Sequence, residues 1–257
     1  MTLASNWSSD LATWGIPSEI LIQAPQSPWI HPPALFTVPD VIPETPSQTR
    51  ARELLVDGDS VLDIGCGGGI AAFAVAPPAG KVIGVDHQQE MLNMFAATAH
   101  SRGLIHQEIL GDWPDVIEQT PVADVVTCHH VVFNVPAVEP FIRGLDNCAR
   151  KRVVIEMPQE HPLANMSPAW KHFWGLNRPT KPTSHDFIAI LKSMGINAQY
   201  EDWSHPVRSG MSDDENARFM TIRLCLPQSR QDEVRDFFRN HPTPIERKLT
   251  TIWWDKA

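Results

Sequence analysis

Cysteine is scarce in this 257-residue chain, and its four copies, Cys66, Cys128, Cys148 and Cys225, are far apart. They form no CxxC pair and no Cys/His spacing of a zinc site, which argues against a disulfide scaffold or a zinc fold and leaves reduced, mostly buried thiols. Basic residues are outnumbered, 21 against 30 acidic ones for a formal charge of -9. That balance disfavours nucleic acid as a partner unless the cations cluster. No apolar run approaches the roughly 20 residues of a membrane helix, so no membrane association is expected. The opening "MTLASNWSSDLATW" lacks the basic start and apolar stretch of a secretory leader, and a cytoplasmic location is expected. Tyrosine occurs once against nine tryptophans. No internal repeat or low-complexity tract is visible.

What is present is an ordinary globular composition, 42% hydrophobic and 20% charged, enough for one domain with elaborations. Residues 1–48 contain many of the 23 prolines, as in "PQSPWIHPPALFTVPDVIPETP", and read as an arm without a long regular element. Over 49–257 strand and helix patterns alternate. A helix near "SQTRARELL" leads to strand "SVLDIG", helix "GGIAAFAVA", strand "KVIGVD", helix "QQEMLNMFAATAHSRG", a strand around "HQEIL", strand "ADVVTCH", helix "PAVEPFIRGLDNCAR" and strand "RVVIEM". This order predicts an α/β, doubly wound, mostly parallel sheet with helices on both faces. Insertions are expected near 158–182, around the aromatic-rich "SPAWKHFWGLNRP", and near 205–243, where Ser212 and Glu215 fit a capping box. "NAQYEDW" and "KLTTIWW" read as the closing strands.

The densest signal is "VLDIGCGGGIAAF", Val61 to Phe73, a strand, a glycine cluster and a helix start. Such a turn sets backbone amides and a helix N-terminus beside a ligand at the carboxyl ends of the strands. Glycine at 65, 67, 68 and 69 allows close approach and positive φ. A dinucleotide fingerprint needs a glycine at the sixth position from Gly65, where Ile70 stands, which argues against an NAD-dependent oxidoreductase. The pattern is instead Asp63, Gly65, Gly67 and Gly69 in an acid-x-G-x-G-x-G array. Asp86 ends the next strand seventeen residues after Gly69, where a carboxylate can accept from both hydroxyls of a ribose. "GDWPD" follows the third strand.

These motifs resemble those of the class I S-adenosylmethionine-dependent methyltransferases, over about Arg50 to Trp203. The resemblance implies a Rossmann-like, seven-stranded sheet with an antiparallel last strand, and S-adenosyl-L-methionine as cofactor. It implies that Asp63 and the glycine turn surround the methionine part and Asp86 the ribose. It implies that Asp112 receives the adenine amino group, with Trp113 packing against the base. The fourth strand ends "CHHVVFNVP" and lacks the Asn/Asp-Pro-Pro-aromatic box of enzymes that methylate amino groups of nucleic acids or proteins. A small-molecule acceptor is therefore expected. An RNA methyltransferase would need Arg218, Arg223, Arg230 and Arg235 on one basic face, and a binding module without catalysis is the other alternative.

Methyl transfer from a sulfonium is a direct displacement, so the protein must align the nucleophile and exclude water. A base is needed only where the nucleophile keeps its proton. His129 and His130 end the fourth strand, and alternation of side chains turns at most one to the pocket. Asn134 and Glu156 are secondary candidates. Trp29, His31, Trp170 and Trp174 fall in the arm and the first insertion, where Phe173 also lies, and are expected to roof the acceptor pocket. The sequence does not fix the acceptor, the atom methylated or the oligomeric state.

Overall fold

The computed structural model describes residues 2–29, 36–206, 212–242, 244 and 246–256. Seven strands form one sheet: β1 (Ser60–Ile64), β2 (Lys81–Asp86), β3 (Ile105–Leu110), β4 (Ala123–His129), β5 (Ala149–Pro158), β6 (Gln199–Pro206) and β7 (Glu246–Asp255). Their order is β3-β2-β1-β4-β5-β7-β6, parallel from β3 to β5, with β7 antiparallel to both its neighbours. The predicted doubly wound sheet with an antiparallel last strand is what forms. The crossing helices are α3 (Pro46–Arg52), α4 (Ile70–Ala74), α5 (Gln89–Ser101), α6 (Val138–Cys148) and α8 (Ser184–Ser193).

Strand alternation divides the core between the two faces. Leu62, Ile64, Ile83, Val85, Val126 and Ile155 point to one side, against Phe141, Ile142 and Leu145 of α6 and Phe187 of α8. Val61, Val82, Val125 and Val154 point to the other, against Ala51 of α3, Phe73 of α4 and Leu92 and Phe95 of α5. Each such side chain contributes about 1.5–3 kcal/mol by leaving water. A third cluster stands apart from the sheet, where α7 (Ser167–Trp174) packs with α10 (Gln231–Asn240) and the Leu224–Leu226 turn that follows α9 (Asp213–Arg223).

The arm differs from expectation. Residues 2–12 form a regular helix, α1 (Leu3–Ala12), with Thr2 accepting from the Ser5 amide as its cap, and a short α2 (Ser18–Leu21) follows. The first proline is Pro17, so nothing in the first turns opposes a helix. Trp7 is its anchor: fully buried, its Nε1 donates to the Val135 carbonyl at 2.9 Å, and it stacks on Phe133 at 5.7 Å.

Candidate functional site

Parallel strands deliver their carboxyl ends to one edge of the sheet, and four of the predicted elements meet there. Leaving β1, the chain makes the glycine turn with Gly65, Gly67 and Gly69 at φ of 67°, 51° and 93°. Gly65 and Cys66 both donate backbone N–H to the Val85 carbonyl of β2, at 2.8 and 3.0 Å. Asp86 closes the arrangement, its two oxygens accepting from the amides of Gly67 and Gln88 at 2.9 Å each. Each oxygen keeps a further lone pair for a ligand hydroxyl. The Gly111 amide donates to the Asp86 carbonyl at 3.0 Å, tying the exit of β3 to that of β2. Asp112, next in line, is exposed.

Asp63 lies beneath the turn, only 2% exposed. Thr127 of β4 donates to one oxygen at 3.0 Å and the Ala72 amide of α4 to the other at 3.4 Å. Burial raises its pKa to about 7; the two hydrogen bonds oppose the rise and the nearby Asp86 charge adds to it. The acid therefore clamps β1, β4 and α4 together below the ligand turn. Burial, with Asp63 and Asp86 close by, also pushes the Cys66 thiol well up, which leaves it inert.

The two histidines separate as alternation requires. His129 turns inward: burial lowers its pKa, and its Nε2 is shut off from solvent without a hydrogen-bond partner among the described residues. His130 turns outward at φ 62°, in the left-handed region that few residues other than glycine occupy. Its amide donates to the Glu156 carbonyl at 2.7 Å, and its Nε2 lies 3.0 Å from Glu156 Oε1. Burial opposes ionisation of Glu156, but the two imidazoles outweigh it and hold its pKa near about 2. Burial disfavours the charged form of His129, whereas His130 holds Glu156 by a direct contact. The next residue, Val131, packs on the glycine turn: a Cβ on Gly65 would come within 2.4 Å of its Cγ2. The His130–Glu156 pair thus borders the same turn that Asp86 buttresses.

Several expected positions are corrected. The Trp113 indole is turned under α6, donating to the Phe141 carbonyl at 3.3 Å and packing on Gly144, so it is not free to cover a base. The Trp170 ring is fully buried in the third cluster, and Trp174 donates there to the Leu224 carbonyl at 2.7 Å, so both rings pack away from the glycine turn. Trp29 is 47% exposed, and His31 lies outside the described residues. Arg230 and Arg235 are paired with Glu233, Asp232 and Asp214, so the arginines needed for a basic face are interleaved with acids.

One residue at the site carried no local signal. Phe36, from the arm, sets its ring against Gly67 and its carbonyl against Gly68, where a Cβ would approach that oxygen to 1.9 Å. The bareness of the turn therefore also admits the chain's own arm.

Residues 61–151 match the family described as a methyltransferase domain. Over 80 residues the chain is 40% identical to the ubiquinone biosynthesis O-methyltransferase of Vibrio atlanticus, covering 31% of this chain and 34% of that protein. Over 112 residues it is 33% identical to the protein of that name in Aeromonas salmonicida, covering 42% and 46%. The chain thus spans less than half the length of these curated relatives. Among solved structures, the YcgJ protein of Bacillus subtilis superposes with a TM-score of 0.56 at 18% identity, over 82% of this chain and 98% of that one. TehB from Haemophilus influenzae gives 0.54 at 13%, over 85% and 64%. These structural likenesses concern the fold, and the sequence match falls on the stretch that builds the glycine turn, Asp86 and the β4 tip. Over that stretch the chain carries the sequence pattern of a methyltransferase domain.

Proposed function

We propose that the protein transfers a methyl group from S-adenosylmethionine to a hydroxyl of a small-molecule acceptor. The observation that carries this reading is the juxtaposition at one sheet edge of a glycine turn locked to Asp86 and a His130–Glu156 pair. The donor set fits the cofactor. Asp86 has acceptor capacity left for two ribose hydroxyls, and Asp63 and Asp86 give the turn an acidic character suited to a ligand bearing an ammonium and a sulfonium. When bound, the cofactor supplies an electrophilic methyl group. The chain's part is to hold the acceptor in line with that methyl and to take the proton of its hydroxyl. His130 Nε2 donates to the buried Glu156 carboxylate, so Nδ1 would receive that proton, with Glu156 orienting the ring and stabilising the cation that forms. The outward-facing, solvent-reachable position of His130 suits it to the role better than His129, whose burial opposes any charge.

The two curated relatives are named as ubiquinone biosynthesis O-methyltransferases, which agrees with a hydroxyl acceptor. Calorimetry with S-adenosylhomocysteine tests the cofactor half. Replacement of Asp86 by Ala removes a charged acceptor of up to two ribose bonds and should weaken binding at least about tenfold, at 1.5–3 kcal/mol for each charged hydrogen bond. Equal affinity in the variant would remove the basis of the assignment.

A further inference from the structure

Arg178, in the loop between α7 and α8, is a cation held by aromatic rings and backbone carbonyls. Its guanidinium lies 5.2 Å over the Trp14 ring and 5.4 Å over the Trp170 ring. It donates to the carbonyls of Gly15, at 3.1 Å, and of Trp14, just beyond the C-terminus of α1. No carboxylate pairs with it among the described residues, and burial alone accounts for its lowered pKa. These two bonds use two of its five N–H groups. Its Nε is closed to solvent and has no acceptor among the described residues, and the same holds for Nε1 of the fully buried Trp170 beside it.

A third donor lies against Trp14. His161 stacks on that ring at 4.0 Å with an 11° tilt, and its Nδ1 accepts the Leu163 amide at 3.2 Å, which leaves the proton on Nε2. The ring stays neutral at physiological pH, its pKa pushed down to about 4 by burial and then by Arg178. His161 also meets Phe133 edge-on at 5.4 Å, and Phe133 follows His130 by three residues. The cluster therefore reaches the acceptor side of the β4 tip.

Orphaned donors around an uncompensated, half-buried cation are costly, and water returns hydrogen bonds to them without returning charge. A carboxylate returns both, through two oxygens that each accept more than one N–H. The aromatic walls favour an organic acid over a bare inorganic anion. We propose that Trp14, His161, Trp170 and Arg178 form a subsite for the carboxylate of an organic acid, the end of the methyl acceptor opposite the hydroxyl that reacts at His130. The second half of this statement rests on the proposed function; the subsite itself does not.

Benzoate is the probe, read by tryptophan fluorescence on the full chain, with benzyl alcohol and inorganic phosphate as controls. Benzoate binds the unaltered protein saturably, benzyl alcohol binds at least about tenfold more weakly, and phosphate fails to displace benzoate. Arg178→Met lowers benzoate affinity about tenfold or more, and Trp170→Phe, which removes the N–H and keeps most of the ring, lowers it about threefold to tenfold. Both variants keep their affinity for S-adenosylhomocysteine in calorimetry. Any of four results overturns the subsite: wild-type benzoate affinity in Arg178→Met, equal binding of benzyl alcohol, displacement by phosphate at equal affinity, or no benzoate bound at about 10 mM, a ceiling that excludes even weak millimolar binding. Where Arg178→Met does not fold, Trp170→Phe decides, since unchanged benzoate affinity there is equally fatal. Loss of S-adenosylhomocysteine binding by the unaltered chain, with benzoate binding intact, would defeat the proposed function and leave the subsite standing.

Discussion

Asp63→Asn isolates the buried acid under the ligand turn. In the folded chain Asp63 holds its proton up to about pH 7, whereas a free aspartate releases it near 3.8. The folded state therefore binds the proton more tightly than the unfolded state. Stability is greatest below the unfolded value and falls as pH rises toward the folded one, levelling off above it. From pH 5 to pH 7 the fall covers two units, which at about 1.36 kcal/mol per unit is roughly 3 kcal/mol. Asparagine has the same shape and no charge to bury. Its carbonyl can accept from the Ala72 amide while its NH₂ donates to Thr127, whose hydroxyl turns its proton to the Leu62 carbonyl 3.4 Å away. In urea denaturation the stability of the variant relative to the unaltered protein should rise by about 3 kcal/mol between pH 5 and pH 8. The comparison cancels histidines and surface carboxylates, which titrate alike in both. A stability difference that stays constant from pH 5 to pH 8 would show that Asp63 ionises freely in the folded protein and that its burial is misjudged.

His130→Ala should lower kcat/KM for a hydroxyl acceptor about 100-fold at neutral pH, and Glu156→Gln by less, with both recovering toward alkaline pH where the acceptor ionises unaided; an unchanged neutral-pH rate in His130→Ala would end its role as base. Trp7→Ala removes a fully buried indole together with its bond to the Val135 carbonyl and should cost about 3–5 kcal/mol in chemical denaturation, and a loss below about 1 kcal/mol would mean that α1 is detachable. Gly68→Ala meets the Phe36 carbonyl with its new methyl group. The arm must lift, and protease cleavage in residues 37–45 should accelerate several-fold, while an unchanged cleavage rate would separate the arm from the turn.

The sheet was legible because its signals are local. Strand, glycine turn and helix follow one another within "VLDIGCGGGIAAF", and Asp86 and the histidines stand at strand ends that short apolar runs define. Burial was harder to read. Asp63 and Asp86 are both acids at strand ends, yet one is sealed beneath α4 and the other faces the turn, and only the register of β1 with β4, Asp63 against Thr127, makes the difference. Trp170 and Trp174 have the spacing of a helix stripe, which was legible, but spacing does not name the surface that the stripe covers. Here that surface is the Leu224–Leu226 turn, fifty residues along the chain from Trp174.

The arm shows why prolines are a poor guide to what a segment does. Its prolines forbid a long helix after Pro17, but they say nothing of docking, which rests on a few large side chains. Trp7 fills the core beneath the β4 exit, Trp14 stacks on His161, and Phe36 lies on the glycine turn. Phe36 thus reaches the ligand turn while Trp7 reaches Phe133 and Val135 just after β4, so one segment borders both. None of the three has a sequence partner close enough to reveal it: Trp7 bonds to Val135 and Trp14 to the carbonyl of Lys181. Long-range closure of this kind costs only slowly more as the loop lengthens. A distant arm can therefore complete a site as readily as a neighbouring loop, and a reading confined to strand ends will place the ligand while missing what encloses it.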